Sequence, residues 1–162
     1  MNAWTVDGYI MDQDALTGYE YRCIDASRNG CGPIALYNIL HALGRDADFG
    51  ALLKELDGLH RMHRPGPTAM NAMRAWLRLH LPEMAEHPGR AAALEAARHS
   101  RMGILRYTEE KIPHFVSFFR REGGGYRFFN VNDGLEDYVC SMEMFFELHV
   151  GARQYVSAFT LE

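Results

Sequence analysis

The sequence predicts an α+β domain, with a helical N-terminal half packed against a C-terminal antiparallel sheet. Three observations carry that expectation. Between residues 31 and 81 apolar side chains recur at helical spacing. Beyond Met102 the chain breaks into short runs rich in β-branched and aromatic residues, GILRY, HFVSFF, YRFFNV, DYVC and RQYVSAF, each bounded by turn-formers. No linker, repeat or low-complexity tract separates the two halves, and 162 residues suffice for one full core, so residues 1–162 read as a single domain.

Taken in order, residues 1–28 mix aromatics with Gly, Asp and Thr, and Tyr19, Tyr21 and Cys23 alternate with polar neighbours as in a half-buried extended arm. Cys23 reads there as plain packing. In NGCGPIALYNILHAL, residues 29–43, a glycine-bearing turn becomes an apolar helix. Pro33 suits its first turn, Ile34, Tyr37, Leu40 and His41 lie on one side, Leu36, Ile39 and Leu43 on the adjoining one, and Gly44 is the stop. Asp46 or Asp48 can cap a second helix with Phe49, Leu52, Leu53 and Leu56 on its apolar face and Gly58 as exit. LHRMHRPGPT is a loop, after which Thr68 can cap a third helix carrying Met70, Met73, Trp76, Leu77 and Leu81. The alanine-rich residues 89–100 predict a fourth, and MEMFFELH, capped by Ser141, interrupts the strands with another.

Cys31 is the residue that needs an explanation. Gly30 and Gly32 flank it, and both allow tight turns and close approach of other groups. Aligned peptide dipoles and unpaired N–H groups at a helix N-terminus favour a thiolate over a thiol, and the same N–H groups can bind an oxyanion. The plainer reading is a small buried apolar residue.

A cysteine nucleophile needs a base. His41, His80, His99 and His149 lie in or at the ends of helical patterns, as core-edge or surface residues do, and His60 and His63 are spaced H-x-x-H in a loop without a completed ligand set. His114 instead opens an apolar strand after Lys111, Ile112 and Pro113, where the sheet would meet the helix N-terminus. The next strand ends in Asn130, Val131, Asn132 and Asp133. If Gly123 and Gly124 form a two-residue hairpin loop, paired positions sum to 247 and His114 lies opposite Asp133; an odd loop would favour Asn132.

The order Cys-Gly-Pro-x-Ala-Leu on a helix, His-Phe-Val on a strand and an Asn-Asp pair one hairpin later resembles the papain-like cysteine peptidases, most closely the C39-like, bacteriocin-processing branch, over about residues 19 to 160. The resemblance implies a papain-like fold, with Cys31 as nucleophile, His114 as general base and Asp133 as the orienting acid, acting on a peptide or protein substrate through an acyl-enzyme. Such enzymes usually carry a glutamine six positions before the cysteine; here that position is Asp25, which would repel an oxyanion, and Asn29 is the amide available to substitute. Two other readings stay open: a peptide-binding module of this fold without turnover, and a thiol acyltransferase.

Composition narrows the field. A net charge of −4 with no basic run argues against a nucleic-acid partner, and no apolar stretch reaches membrane-spanning length. The N-terminus has neither the basic start nor the apolar run of a signal peptide, and Cys23, Cys31 and Cys140 lack C-x-x-C spacing, so reduced thiols and a cytoplasmic location are expected. No metal or other cofactor is expected.

Overall fold

Asp25, Asp48 and Ser141 each accept a backbone N–H at the head of a helix, from Ser27 at 3.0 Å, Ala51 at 2.7 Å and Met144 at 3.1 Å, and these caps fix where three helical segments begin. The computed structural model describes residues 2–131 and 137–162. After an N-terminal arm come β1 (Glu20–Tyr21), β2 (Ile24–Asp25), α1 (Ala26–Asn29), α2 (Cys31–Ala42), α3 (Phe49–Gly58) and α4 (Met70–His80). The second half runs β3 (Ala85–Pro88), α5 (Arg90–His99), β4 (Met102–Glu109), β5 (Ile112–Arg120), β6 (Tyr126–Phe129), β7 (Tyr138–Cys140), α6 (Met142–His149) and β8 (Ser157–Leu161).

The helix stops follow the local chemistry. Past α2, Gly44 takes φ +66°, its N–H donates to the His41 carbonyl at 3.0 Å, and the Arg45 N–H reaches the Leu40 carbonyl at 3.0 Å, a Schellman arrangement. One expected cap is corrected. Ala69, not Thr68, stands at the head of α4, because the Thr68 hydroxyl is taken by the Tyr21 phenol at 2.8 Å.

Among the described residues the larger sheet has the order β3-β8-β4-β5-β6-β7, antiparallel throughout. Edge strand β3 is not apparent in the sequence, since Ala-Glu-His-Pro carries no β pattern; proline is tolerated at an edge because its missing N–H leaves no ladder bond unmade inside the sheet. Helices cover both faces, rather than one as the division into halves suggests. On one face Ile34, Ile39, Leu56 and Trp76 from the N-terminal helices pack with Ile104, Phe115 and Phe159. On the other, Ala93 and Ala97 of α5 and Phe145 and Phe146 of α6 pack with Leu105, Val116, Phe118 and Phe128. Neighbouring strand residues are therefore buried to opposite sides, which is why β4 and β5 read as near-continuous apolar runs.

The hairpin joining β5 and β6 differs from the expected register. Arg120 pairs with Tyr126 and Ser117 with Phe129, positions summing to 246, and the Arg121 N–H meets the Gly125 carbonyl at 3.0 Å around a three-residue loop, Glu122–Gly124. Pairing then ends, because Asn130 at φ +63° turns the chain out of the ladder. The hairpin therefore does not set His114 opposite Asp133; its loop is of the odd kind that favours Asn132. Asn132 and Asp133 themselves lie outside the described residues.

The arm is joined to the core through Asn38 on α2, which is fully buried. Its Oδ1 accepts the Ile10 N–H at 2.9 Å, and its Nδ2 donates to the Ile10 carbonyl at 2.9 Å and to Ser117 Oγ at 3.3 Å. Asn38→Ala strands the Ile10 backbone pair in a dry interior, a cost of about 2–4 kcal/mol. A urea midpoint indistinguishable from that of the parent would contradict this account.

Candidate active site

Gly30 and Gly32 owe their places around Cys31 to crowding rather than to a left-handed backbone. A Cβ on Gly30, whose φ is −82°, would lie 2.5 Å from the Ala26 carbonyl oxygen; one on Gly32 would lie 2.2 Å from Thr68 Oγ1 and 2.6 Å from its Cβ. The pair lets α1, α2 and the 59–68 loop meet at one point. Cys31 occupies the first position of α2, and the helical ladder starts only with the Ile34 N–H to the Gly30 carbonyl at 2.9 Å. Pro33 has no N–H, so the N–H groups of Cys31 and Gly32 are the ones the first turn leaves over.

The cleft beside them has a volume of about 670 Å³ and is lined by Cys31 and His114 together with Gln13, Asn29, Glu109 and Gly66, among others. Cys31 and His114, the nucleophile and base that the sequence reading paired, line one cleft although 83 positions apart (114 − 31). Both are nearly buried, Cys31 at 4% exposure. His114 Nε2 donates to the Asn130 carbonyl at 2.8 Å and lies 4.0 Å from Glu109 Oε2, and its ring meets Tyr107 edge-on at 5.7 Å. With Nε2 engaged, Nδ1 is the ring nitrogen left for the Cys31 sulfur.

Burial works against charge on the His114 ring. The Cys31 side chain beside it, the Asn130 carbonyl and the Glu109 carboxylate together outweigh that penalty, and the imidazolium is held to higher pH than an ordinary histidine's.

Asp25 does not face the cleft as the sequence suggested. Its carboxylate accepts the Ser27 hydroxyl at 2.6 Å, the Ser27 N–H at 3.0 Å and the Gly18 N–H at 3.0 Å, which hold it below the usual carboxylate range. It is a helix cap, and it is not among the cleft-lining residues. Asn29 does line the cleft, but its Nδ2 donates to the Tyr21 carbonyl at 2.9 Å and the Gly66 carbonyl at 3.1 Å. What remains of that amide is an acceptor oxygen, the wrong polarity for an oxyanion.

Two cleft residues escaped the sequence reading. Gln13 comes from the arm: its N–H donates to Asn130 Oδ1 at 3.0 Å, its Oε1 accepts from Asn130 Nδ2 at 3.2 Å, and its Nε2 donates to the Ser27 carbonyl at 3.0 Å. No local pattern marks it, because its neighbours in space lie 14 and 117 positions away. Glu109 was missed because its place depends on the Glu110–Lys111 turn, where neither residue is a glycine yet both take positive φ. Cys23 is also corrected: rather than packing, it is exposed in the two-residue β1–β2 turn at φ +66°, with Sγ 3.3 Å from His63 Nε2. No group of three His, Cys, Asp or Glu side chains suited to a metal ion occurs among the described residues, and no helix there is long and apolar enough to cross a membrane. Comparison with protein-family models, curated proteins and solved structures yields no match for this chain.

Proposed function

We propose that the chain is a papain-like thiol hydrolase of the C39-like kind, acting on a peptide or amide bond. The single observation that carries this reading is the convergence of Cys31, at a helix N-terminus, and His114, with its ring anchored through Nε2, on one cleft. His114 Nδ1 takes the Cys31 proton and the thiolate attacks the substrate carbonyl. The N–H groups of Cys31 and Gly32 meet the resulting oxyanion, His114 returns the proton to the leaving amine, and water resolves the acyl-enzyme. Asp133 is the orienting acid by the resemblance alone, since the three-residue β5–β6 loop removes the register argument for it and favours Asn132. The feature that favoured a binding module without turnover, a carboxylate in the place of the oxyanion glutamine, loses its force because Asp25 is spent on capping α1.

The test is Cys31→Ala in a peptide-library hydrolysis assay. Activity is expected to vanish while the thermal midpoint stays within a few degrees, since the exchange removes only a sulfur. Undiminished hydrolysis would exclude Cys31 as nucleophile, and an unfolded variant would mark it as core.

A further inference from the structure

Glu110 at φ +46° and Lys111 at φ +70° close a two-residue turn between β4 and β5. That turn fixes the pairing of Glu109 with Ile112, and with it the pairing of Tyr107 with His114. Glu109 therefore shares a sheet face with His114 and is its diagonal neighbour, a spacing long side chains bridge. Its Oε2 lies 4.0 Å from His114 Nε2, with side-chain exposures of 29% and 9% respectively. The Nε2 proton already goes to the Asn130 carbonyl at 2.8 Å, so the carboxylate stands beside that N–H without displacing it.

We propose that Glu109 is a positioning residue for His114, a carboxylate that the tight β4–β5 turn holds beside the ring so that the imidazolium form is stabilised and its orientation fixed. The assignment rests on the reading of Cys31 and His114 as nucleophile and base. Among the described residues, the groups facing the ring are Cys31 from α2, Tyr107 from β4, the Asn130 carbonyl after β6 and Glu109 at the end of β4. Among these, Glu109 supplies the one carboxylate. The raised proton affinity of His114 agrees with a negative charge at this place. Glu109 exchanges no proton in this scheme. It lowers the cost of placing a positive ring in a buried setting, a contribution separate from the orienting part proposed for Asp133.

The experiment is NMR titration of the His114 ring in the full chain, comparing the parent with Glu109→Gln and Glu109→Asp. The glutamine keeps the shape and removes the charge, so the His114 midpoint is expected to fall, and aspartate should restore much of it. In steady-state kinetics Glu109→Gln should lower kcat about tenfold with KM within twofold, and move the alkaline limb of the kcat/KM profile to lower pH. A His114 midpoint unmoved in Glu109→Gln overturns the proposal whatever the activity. A midpoint that falls, in a protein whose hydrolysis does not depend on Cys31, would uphold the Glu109–His114 coupling and refute the hydrolase reading instead. The titration therefore separates the two claims.

Discussion

Replacing His114 by alanine is expected to lower kcat on the order of 10³-fold or more, close to the loss from Cys31→Ala, because in the proposed mechanism the two act as a unit and neither works alone. Without the ring the thiol has no group to take its proton, and the leaving amine has no acid. The double variant should therefore be little worse than either single one. The same substitution has a consequence for stability that needs no substrate. His114 binds its proton more tightly in the fold than in the unfolded chain, so near and above the ordinary histidine value of 6.5 the native state carries the extra proton. Stability from this source is fully present below that value and is lost as pH rises through the raised, folded one. Denaturant titrations of the parent should show that decline, and His114→Ala should flatten it. A decline unchanged in the variant would assign the linkage to other groups.

Gly32→Ala is expected to destabilise the protein by about 2 kcal/mol, although alanine is the better helix former by up to about 1 kcal/mol. The new Cβ would lie 2.2 Å from Thr68 Oγ1 and 2.6 Å from Thr68 Cβ. Thr68 has nowhere to go: it is buried and hydrogen-bonded at 2.8 Å to Tyr21, which is buried as well. The strain falls on the turn next to Cys31, so activity should drop with stability. Thr68→Gly removes the opposing atoms, and in a double-mutant cycle it should recover part of the loss from Gly32→Ala. Urea unfolding of the four proteins measures the coupling. A Gly32→Ala midpoint equal to the parent's would mean that the loop yields freely and that the glycine is there for another reason.

The parts of this structure that the sequence disclosed are those set by local chemistry. Asp48, Ser141 and Gly44 act where their residue types suggest, and the apolar faces of α2 and α3 are buried as their spacing requires. Cys31 and His114 stood out because a turn–helix junction and a strand opening are recognisable one at a time. What local pattern could not supply was the partner of each group. Thr68 looks like a cap until Tyr21, 47 positions away, takes its hydroxyl. Asp25 looks like a failed oxyanion residue until Gly18 and Ser27 are seen to use both its oxygens. The β5–β6 register turned on one residue of loop length, and a shift of one inverts every facing choice along the strand. Glu109 was hidden for a related reason: its nearness to His114 depends on the Glu110–Lys111 turn, in which two residues without glycine's freedom nevertheless adopt positive φ.

The central claim is that Cys31 is activated by its setting, and the rate of alkylation at each cysteine tests it most directly. Exposure alone ranks Cys23 first, Cys140 next and the nearly buried Cys31 last. Brief treatment with iodoacetamide near neutral pH, followed by mass mapping, should give the reverse at the site, with Cys31 labelled fastest in the parent and slowed at least tenfold in His114→Ala, while Cys23 and Cys140 keep their rates. Labelling that follows exposure, or a Cys31 rate indifferent to His114, would contradict the account.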